Sequence, residues 1–181
     1  ICTQLDNDAI VFGAEEYLWE ALAPYAAEPP PLLAIISSCA AGLIGDDIEA
    51  IARGAGLSCP IAVLDSSGLS GSFADGWDKA ACAVLSAFLP EQHAGQANAV
   101  NLIGVTSAYY NGENDADELM RLLALAGYRV NAALGCDMSA ADLSGLTQAA
   151  LNIVVHDELG GGAARLLAET CGMPCIAPLP P

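Results

Sequence analysis

The sequence predicts an α/β fold, two Rossmann-like lobes with mainly parallel sheets flanked by helices. Three observations carry that prediction. Apolar runs of strand length alternate with segments of helical period along the whole chain. The runs are nearly continuous in apolar character, as in parallel strands covered on both faces. Glycine recurs after a helical segment and before a strand, at Gly56, Gly127 and Gly172, where a left-handed helix cap is needed.

The strands are expected at Leu32–Ser38 (LLAIISS), Ile61–Asp65 (IAVLD), Val100–Val105 (VNLIGV), Tyr128–Leu134 (YRVNAAL), Leu151–Val155 (LNIVV) and Cys175–Ala177. Helices are expected over Ala14–Tyr25, Asp46–Ala55, Asp75–Leu89, Asn114–Ala126, Ala140–Ala149 and Gly161–Thr170. Strand, helix, glycine, strand is the order of βαβ units. Pro90–Ala97 (PEQHAGQA) is polar and breaks the periodicity, so it reads as a linker (90–97) between a first lobe, 1–90, and a second, 98–181. The first lobe lacks an opening strand and the chain begins at Ile1 rather than Met, which points to an excerpt truncated at its N-terminus.

Charge narrows the function. The chain of 181 residues carries 22 acidic residues against 5 Lys+Arg, a formal net charge of −17. Nucleic acid and anionic membrane both demand clustered cations. Here Arg53, Lys79, Arg121, Arg129 and Arg165 are scattered, so neither partner is expected. Pro29–Gly45 is charge-free but broken by proline, serine and glycine, short of the roughly 20 apolar residues of a membrane span. No positively charged stretch precedes an apolar run at the start, so a signal peptide is not expected there. The 7 cysteines are odd in number and contain no C-x-x-C pair, which favours a reducing, cytoplasmic setting with thiols or metal-bound sulfur.

In open α/β sheets ligands bind beyond the carboxyl ends of the strands. That rule selects Ser37–Cys39 with Gly42–Asp47, then Ser66–Gly76, Thr106–Asn114, Gly135–Ser139 and His156–Gly162. Cys39 stands out, because it follows an apolar strand and precedes a helix, a setting that favours the thiolate required by iron–sulfur and other soft-metal sites. The plainer reading of Cys39 is a small residue filling a strand end. Gly160-Gly-Gly162 opening a helix could hold an anion, but it lacks the spacing of a P-loop or a dinucleotide fingerprint. Gly68-Leu-Ser70-Gly-Ser72 fails the spacing of a nucleophile elbow. Tyr109, Tyr110 and Asn111 either line a pocket or pack their own loop, and His93 is expected to be solvated.

Cys39-Ala-Ala-Gly-Leu-Ile-Gly-Asp-Asp-Ile-Glu49 resembles the C-x-x-x-[LV]-I-G-D-D-[IL]-E segment of nitrogenase component 1 proteins. That family takes in the alpha and beta polypeptides of the molybdenum–iron protein, their cofactor-assembly paralogues and the related tetrapyrrole reductases. Thr3-Gln-Leu5 with Ile10-Val-Phe-Gly13 is similar to the family's T-D-L-x-E-x-D-x-V-F-G-G. Gly71-Ser72 and Gly76-Trp77-Asp78 match the pattern G-S-x-x-x-G-W-D of the beta polypeptides, and Val100–Gly104 and Leu151–Val155 resemble strands of alpha and assembly types. The resemblance implies an oxidoreductase or cofactor-assembly subunit. It would hold an iron–sulfur cluster (4Fe-4S or larger) at a subunit interface and take electrons from an ATP-dependent iron–sulfur reductase. It implies Cys39 as a cluster ligand, Ser72 as a serine able to join the cluster on oxidation, and His156 at the place of a cofactor-anchoring cysteine. On the residues alone, Ser72 reads as a turn or helix-cap residue of a Gly/Ser-rich loop and His156 as a hydrogen-bonded strand-end residue. Asp46 and Asp47 are expected to cap the helix that follows them.

The resemblance also implies that the parent works as a homo- or hetero-oligomer with a paralogous subunit, and that this excerpt lacks both the family's first cluster cysteines and its third domain. Alone it is expected to be inactive. The rival reading is a two-lobe small-molecule binding module without redox activity.

Overall fold

The computed structural model describes residues 2–65, 71–89 and 95–177. The chain divides into two compact units, Ile1–Gly71 and Ser72–Pro181. This division falls earlier than the expected boundary at 90–97, and it moves the helix Phe73–Phe88 from the first lobe into the second unit. The cause is packing: Leu85, fully buried on that helix, belongs to the core formed by the second unit's sheet.

The first unit contains α1 (Asn7–Phe12), α2 (Glu15–Leu22), α3 (Pro24–Ala27), β1 (Leu33–Ser37), α4 (Cys39–Ile44), α5 (Ile48–Gly54) and β2 (Ile61–Asp65). β1 and β2 pair in parallel from Leu33↔Ile61 to Ser37↔Asp65. The single helix expected over Ala14–Tyr25 is two. Pro24 sits in the first turn of α3, where its missing N–H costs nothing, and the chain restarts a helix there.

The second unit contains α6 (Phe73–Phe88), β3 (Gln96–Ile103), α7 (Gly112–Leu125), β4 (Arg129–Ala133), α8 (Ala140–Gly145) with a 3-10 turn at Leu146–Gln148, β5 (Ala149–Val154), α9 (Asp157–Cys171) and β6 (Cys175–Ile176). Its four strands run parallel in the order β4-β3-β5-β6. The chain leaves β3 on one side for β4 and returns to its other side with β5, so the order reverses between β3 and β5.

Alternation along β3 builds both faces. Ala99 and Ile103 enter a core with α6, α8 and α9 (Leu85, Leu143, Leu167), while Leu102, joined by Val105 beyond the strand's end, meets α7 through Leu119, Met120 and Leu123. One polar stitch crosses this interior. Asn101 and Asn152, both fully buried and paired in register, are joined by Asn101 Nδ2 donating to Asn152 Oδ1 at 2.9 Å. Asn101 Nδ2 also donates to the Leu146 carbonyl, and Asn131 Nδ2 donates to Asn101 Oδ1 and to the Gly145 carbonyl. The amides thus tie the end of α8 and the turn after it to the sheet.

Candidate functional site

At the carboxyl end of the first unit's sheet, the Ser37 hydroxyl donates to Asp65 Oδ1 at 2.6 Å and ties the two strand ends together. Ser38 then leaves the strand in extended conformation and its Oγ accepts the Ala41 N–H, so α4 starts at Cys39. Cys39 is exposed. Gly45 closes α4 in the left-handed region at φ +81°, a conformation that glycine adopts without a Cβ penalty.

The two aspartates that follow do different work. Asp47 caps α5 by accepting the Ala50 N–H at 2.9 Å, as expected. Asp46 does not cap its own following helix. Its Oδ2 accepts the Ala14 N–H at 2.6 Å, anchoring the junction of α1 and α2. The Ile-Gly-Asp-Asp run is therefore a structural corner: one glycine turn, one long-range tether and one cap hold the loop that presents Cys39. A cavity of about 500 Å³ opens beside it, lined by Cys2, Ser37, Ser38, Ala41 and Asp46 together with apolar residues of α2 and β1. Cys2 carried no signal in the sequence beyond its residue type.

The other site residues belong to the second unit. Ser72 is exposed and caps α6 in a capping box: its N–H and Oγ–H both donate to Asp75 Oδ2 (2.7 and 2.8 Å), and its Oγ accepts the Asp75 N–H at 3.3 Å. The Ser72 backbone amide, and then its hydroxyl, hold the Asp75 carboxyl below its ordinary range. His156 occupies the N-cap position of α9 without a side-chain cap, half exposed, with Nδ1 3.9 Å from Glu158 Oε1. It ends β5 beside the point of strand-order reversal. A Cβ on Gly104, at the end of β3, would lie 2.3 Å from the His156 carbonyl, so only glycine lets these two strand ends meet.

The Gly160–Gly162 triplet does not open a helix. α9 begins at Asp157, so the glycines lie inside it. A Cβ on Gly160 would meet the Gly104 backbone at 2.6 Å, and the N–H groups of Gly162 and Ala163 donate to the two oxygens of Asp78 at 2.9 and 3.0 Å. The anion those amides hold is the protein's own carboxylate. Asp78 of the Gly-Trp-Asp motif is thus a clamp between α6 and α9, a role that no local pattern discloses. Tyr109 does not pack its loop inward but stacks on Phe73, and Tyr110 is fully exposed. His93 and Ser70 lie outside the described residues.

Among the described residues no group of three or more His, Cys, Asp and Glu is placed to hold a metal ion. The first unit offers Cys39, an exposed sulfur donor of the right chemistry for a soft cluster. No helix of the described residues is long and apolar enough to cross a membrane.

A sequence model of the family described as nitrogenase component 1 type oxidoreductase matches residues 1–181. The chain belongs to that family. Among its relatives, the B subunit of the light-independent protochlorophyllide reductase of Prosthecochloris aestuarii is 29% identical over 160 residues, 83% of this chain and 28% of the relative. The same subunit from a Methylobacterium species is 30% identical over 166 residues, covering 90% and 33%. A solved structure described as nitrogenase Cp1 at pH 5 superimposes with a TM-score of 0.77 at 28% identity, over 97% of this chain and 36% of that one. The Rossmann-like α/β architecture is therefore the family's. The chain spans about a third of the length of these nitrogenase component 1 type proteins.

Proposed function

We propose that the chain is the part of a nitrogenase-like oxidoreductase subunit that contributes Cys39 to an iron–sulfur cluster shared with other polypeptide. In the parent, an ATP-dependent iron–sulfur reductase delivers electrons to that cluster, and a paralogous or identical subunit completes the assembly. The observation that carries this reading is the exposure of Cys39 at the carboxyl end of β1, inside the Cys-to-Glu49 segment that resembles the family's. A sulfur sealed in hydrocarbon could not reach a cluster held partly by another chain.

When bound, the cluster supplies one-electron transfer. The chain's own residues hold the donor in place: Ser37 and Asp65 fix the strand ends, Ser38 starts the helix, and Asp46 and Asp47 brace the loop beyond it. Ser72 joins this reading as an oxidised-state ligand whose hydroxyl must first release Asp75. His156 enters as a ligand or proton donor from an exposed position.

Iron and acid-labile sulfide, measured on the anaerobically purified full-length protein, test the proposal. Wild type is expected to carry a cluster, and Cys39→Ala to lose most of its iron while keeping the circular dichroism of the fold. Cluster-free wild type of ordinary stability would overturn it. That result would favour the second reading, a small-molecule module. The cavity beside Cys39, of a size suited to a small ligand, supports that reading.

A further inference from the structure

Glycine is the poorest helix former after proline, yet α9 carries three in succession, Gly160–Gly162, within its first two turns. A helix that breaks its own local rule answers to something outside itself. A Cβ on Gly160 would lie 2.6 Å from the Gly104 nitrogen and 2.7 Å from the Ile103 side chain, where β3 ends. One on Gly162 would run into the Asp78 carboxylate of α6. Gly161 alone meets a movable group, the exposed carboxylate of Asp157.

Both sides of His156 are held. Ahead of it, the Val155 N–H donates to the Ile103 carbonyl at 2.8 Å, and behind it the Leu159 N–H donates to the His156 carbonyl at 3.2 Å. Gly104, at φ +80°, turns its bare Cα to the His156 backbone, where a Cβ would run into the carbonyl and lie 3.1 Å from the nitrogen. Two turns into α9, the oxygens of half-buried Asp78 take the Gly162 and Ala163 N–H groups at 2.9 and 3.0 Å. Sliding α9 along β3 would strip that carboxylate of both donors.

The residue so held does nothing for the helix or the core. His156 fills an N-cap position that Ser, Asp or Asn serve better, and it makes no side-chain cap bond there. Its side chain is 52% exposed, so packing does not account for it. What the position does offer is a ring beside the point where the strand order reverses, the place at which open parallel sheets bind ligands.

We propose that Asp78, Gly104 and Gly160 are positioning residues for His156. They fix the start of α9 against the end of β3, so that the imidazole projects at one set place. This rests on the reading in which His156 acts as ligand or proton donor, and it names what holds the ring ready.

Exchange of the imidazole C2 hydrogen for deuterium, followed at one fixed pH by mass spectrometry of the full-length protein, reads the surroundings of His156 alone. Gly160→Ala should change that rate severalfold. So should Asp78→Asn, which keeps the shape of the carboxylate but turns one acceptor into a donor. Gly127→Ala is the control: it carries similar left-handed strain (φ +87°) with open space around the new methyl. It should lower the melting temperature and leave His156 exchange as in wild type. Residues that merely stabilise the fold would all behave like Gly127. A lowered melting temperature with unchanged His156 exchange in Asp78→Asn therefore overturns the proposal, and that variant decides alone if Gly160→Ala does not fold. Equal changes in the Gly127→Ala control would overturn it as well. Iron content of Cys39→Ala and His156→Gln reads the cluster and ligand roles, whereas the exchange rate reads only where the ring sits, so the two proposals fail separately.

Discussion

β1 of the first unit and β3 of the second both carry apolar side chains near their carboxyl ends, ahead of a loop and a helix. Yet Ile36, near the end of β1, is 65% exposed, whereas Leu102 and Ile103 at the same stage of β3 are fully buried. Hydrophobicity does not separate them. β3 has a strand on each side and helices on both faces, while among the described residues β1 pairs with β2 alone. Burial is thus a property of how many layers the chain assembles around a strand, and a strand's own residues state only that it is fit to be covered.

The substitution expected to matter most follows from that contrast. Leu102→Ala should cost about 2–5 kcal/mol, the range for a large side chain removed from a packed core. Ile36→Ala should stay within about 0.5 kcal/mol, as surface changes do. Urea denaturation of the two variants reads both, and equal costs would erase the distinction between the sheets. Next in size is Asp78→Ala. It strips the acceptor from the Gly162 and Ala163 amides and should cost about 1–3 kcal/mol, with faster amide exchange at those two residues as its signature.

The caps come third. Ser72→Ala and Ser139→Ala each remove a capping box in the second unit and should cost about 1 kcal/mol. Ser38→Ala in the first unit removes a single cap bond and no capping box, so its effect should be smaller and appear as local fraying at the start of α4.

The smallest effect is one of pH. Burial, chiefly, pushes the Cys82 thiol up to about 11 from its ordinary value near 9. Below about 9 both folded and unfolded forms keep the proton and stability is flat. Above it the unfolded chain ionises first, so this residue's contribution is lost progressively between about 9 and 11. A Cys82→Ala variant should show a shallower alkaline decline in melting temperature. Alkylation kinetics at neutral pH should label exposed Cys39 well before Cys82.

In the other direction, Asp6 in the first unit and Asp75 and Asp142 in the second are held low by hydrogen bonds at helix starts. What they contribute is present above the ordinary carboxylate range and fades as pH falls through their lowered values. Acid should therefore loosen helix starts in both units alike.

Much of this was legible along the chain, for local reasons. β2 falls at Ile61–Asp65, residue for residue, because a proline precedes four apolar positions and an acid closes them. Gly56, Gly127 and Gly172 adopt positive φ where the helix-to-strand turns demand it. The Cys39 loop was legible too, since its cap, turn and motif all lie within a dozen residues. The misplacements have a common cause. β3 starts at Gln96 rather than Val100 because β5 reaches it there, and α9 starts at Asp157 rather than Gly161 because its glycines answer to Gly104 on another strand. Asp46 looked like a cap and is a tether to Ala14, 32 positions earlier.

Periodicity, caps and short motifs settled which segments are strands and helices, the layer type, and the loop that carries the sulfur, because each depends on neighbours within a turn or two. Where the chain divides, which strand is covered, what Asp78 holds across 84 positions, and the gathering of Phe73, Trp77 and Tyr109 at one sheet end came from tertiary contact alone. Such contacts arise between residues far apart along the backbone, and no local regularity encodes who will meet whom.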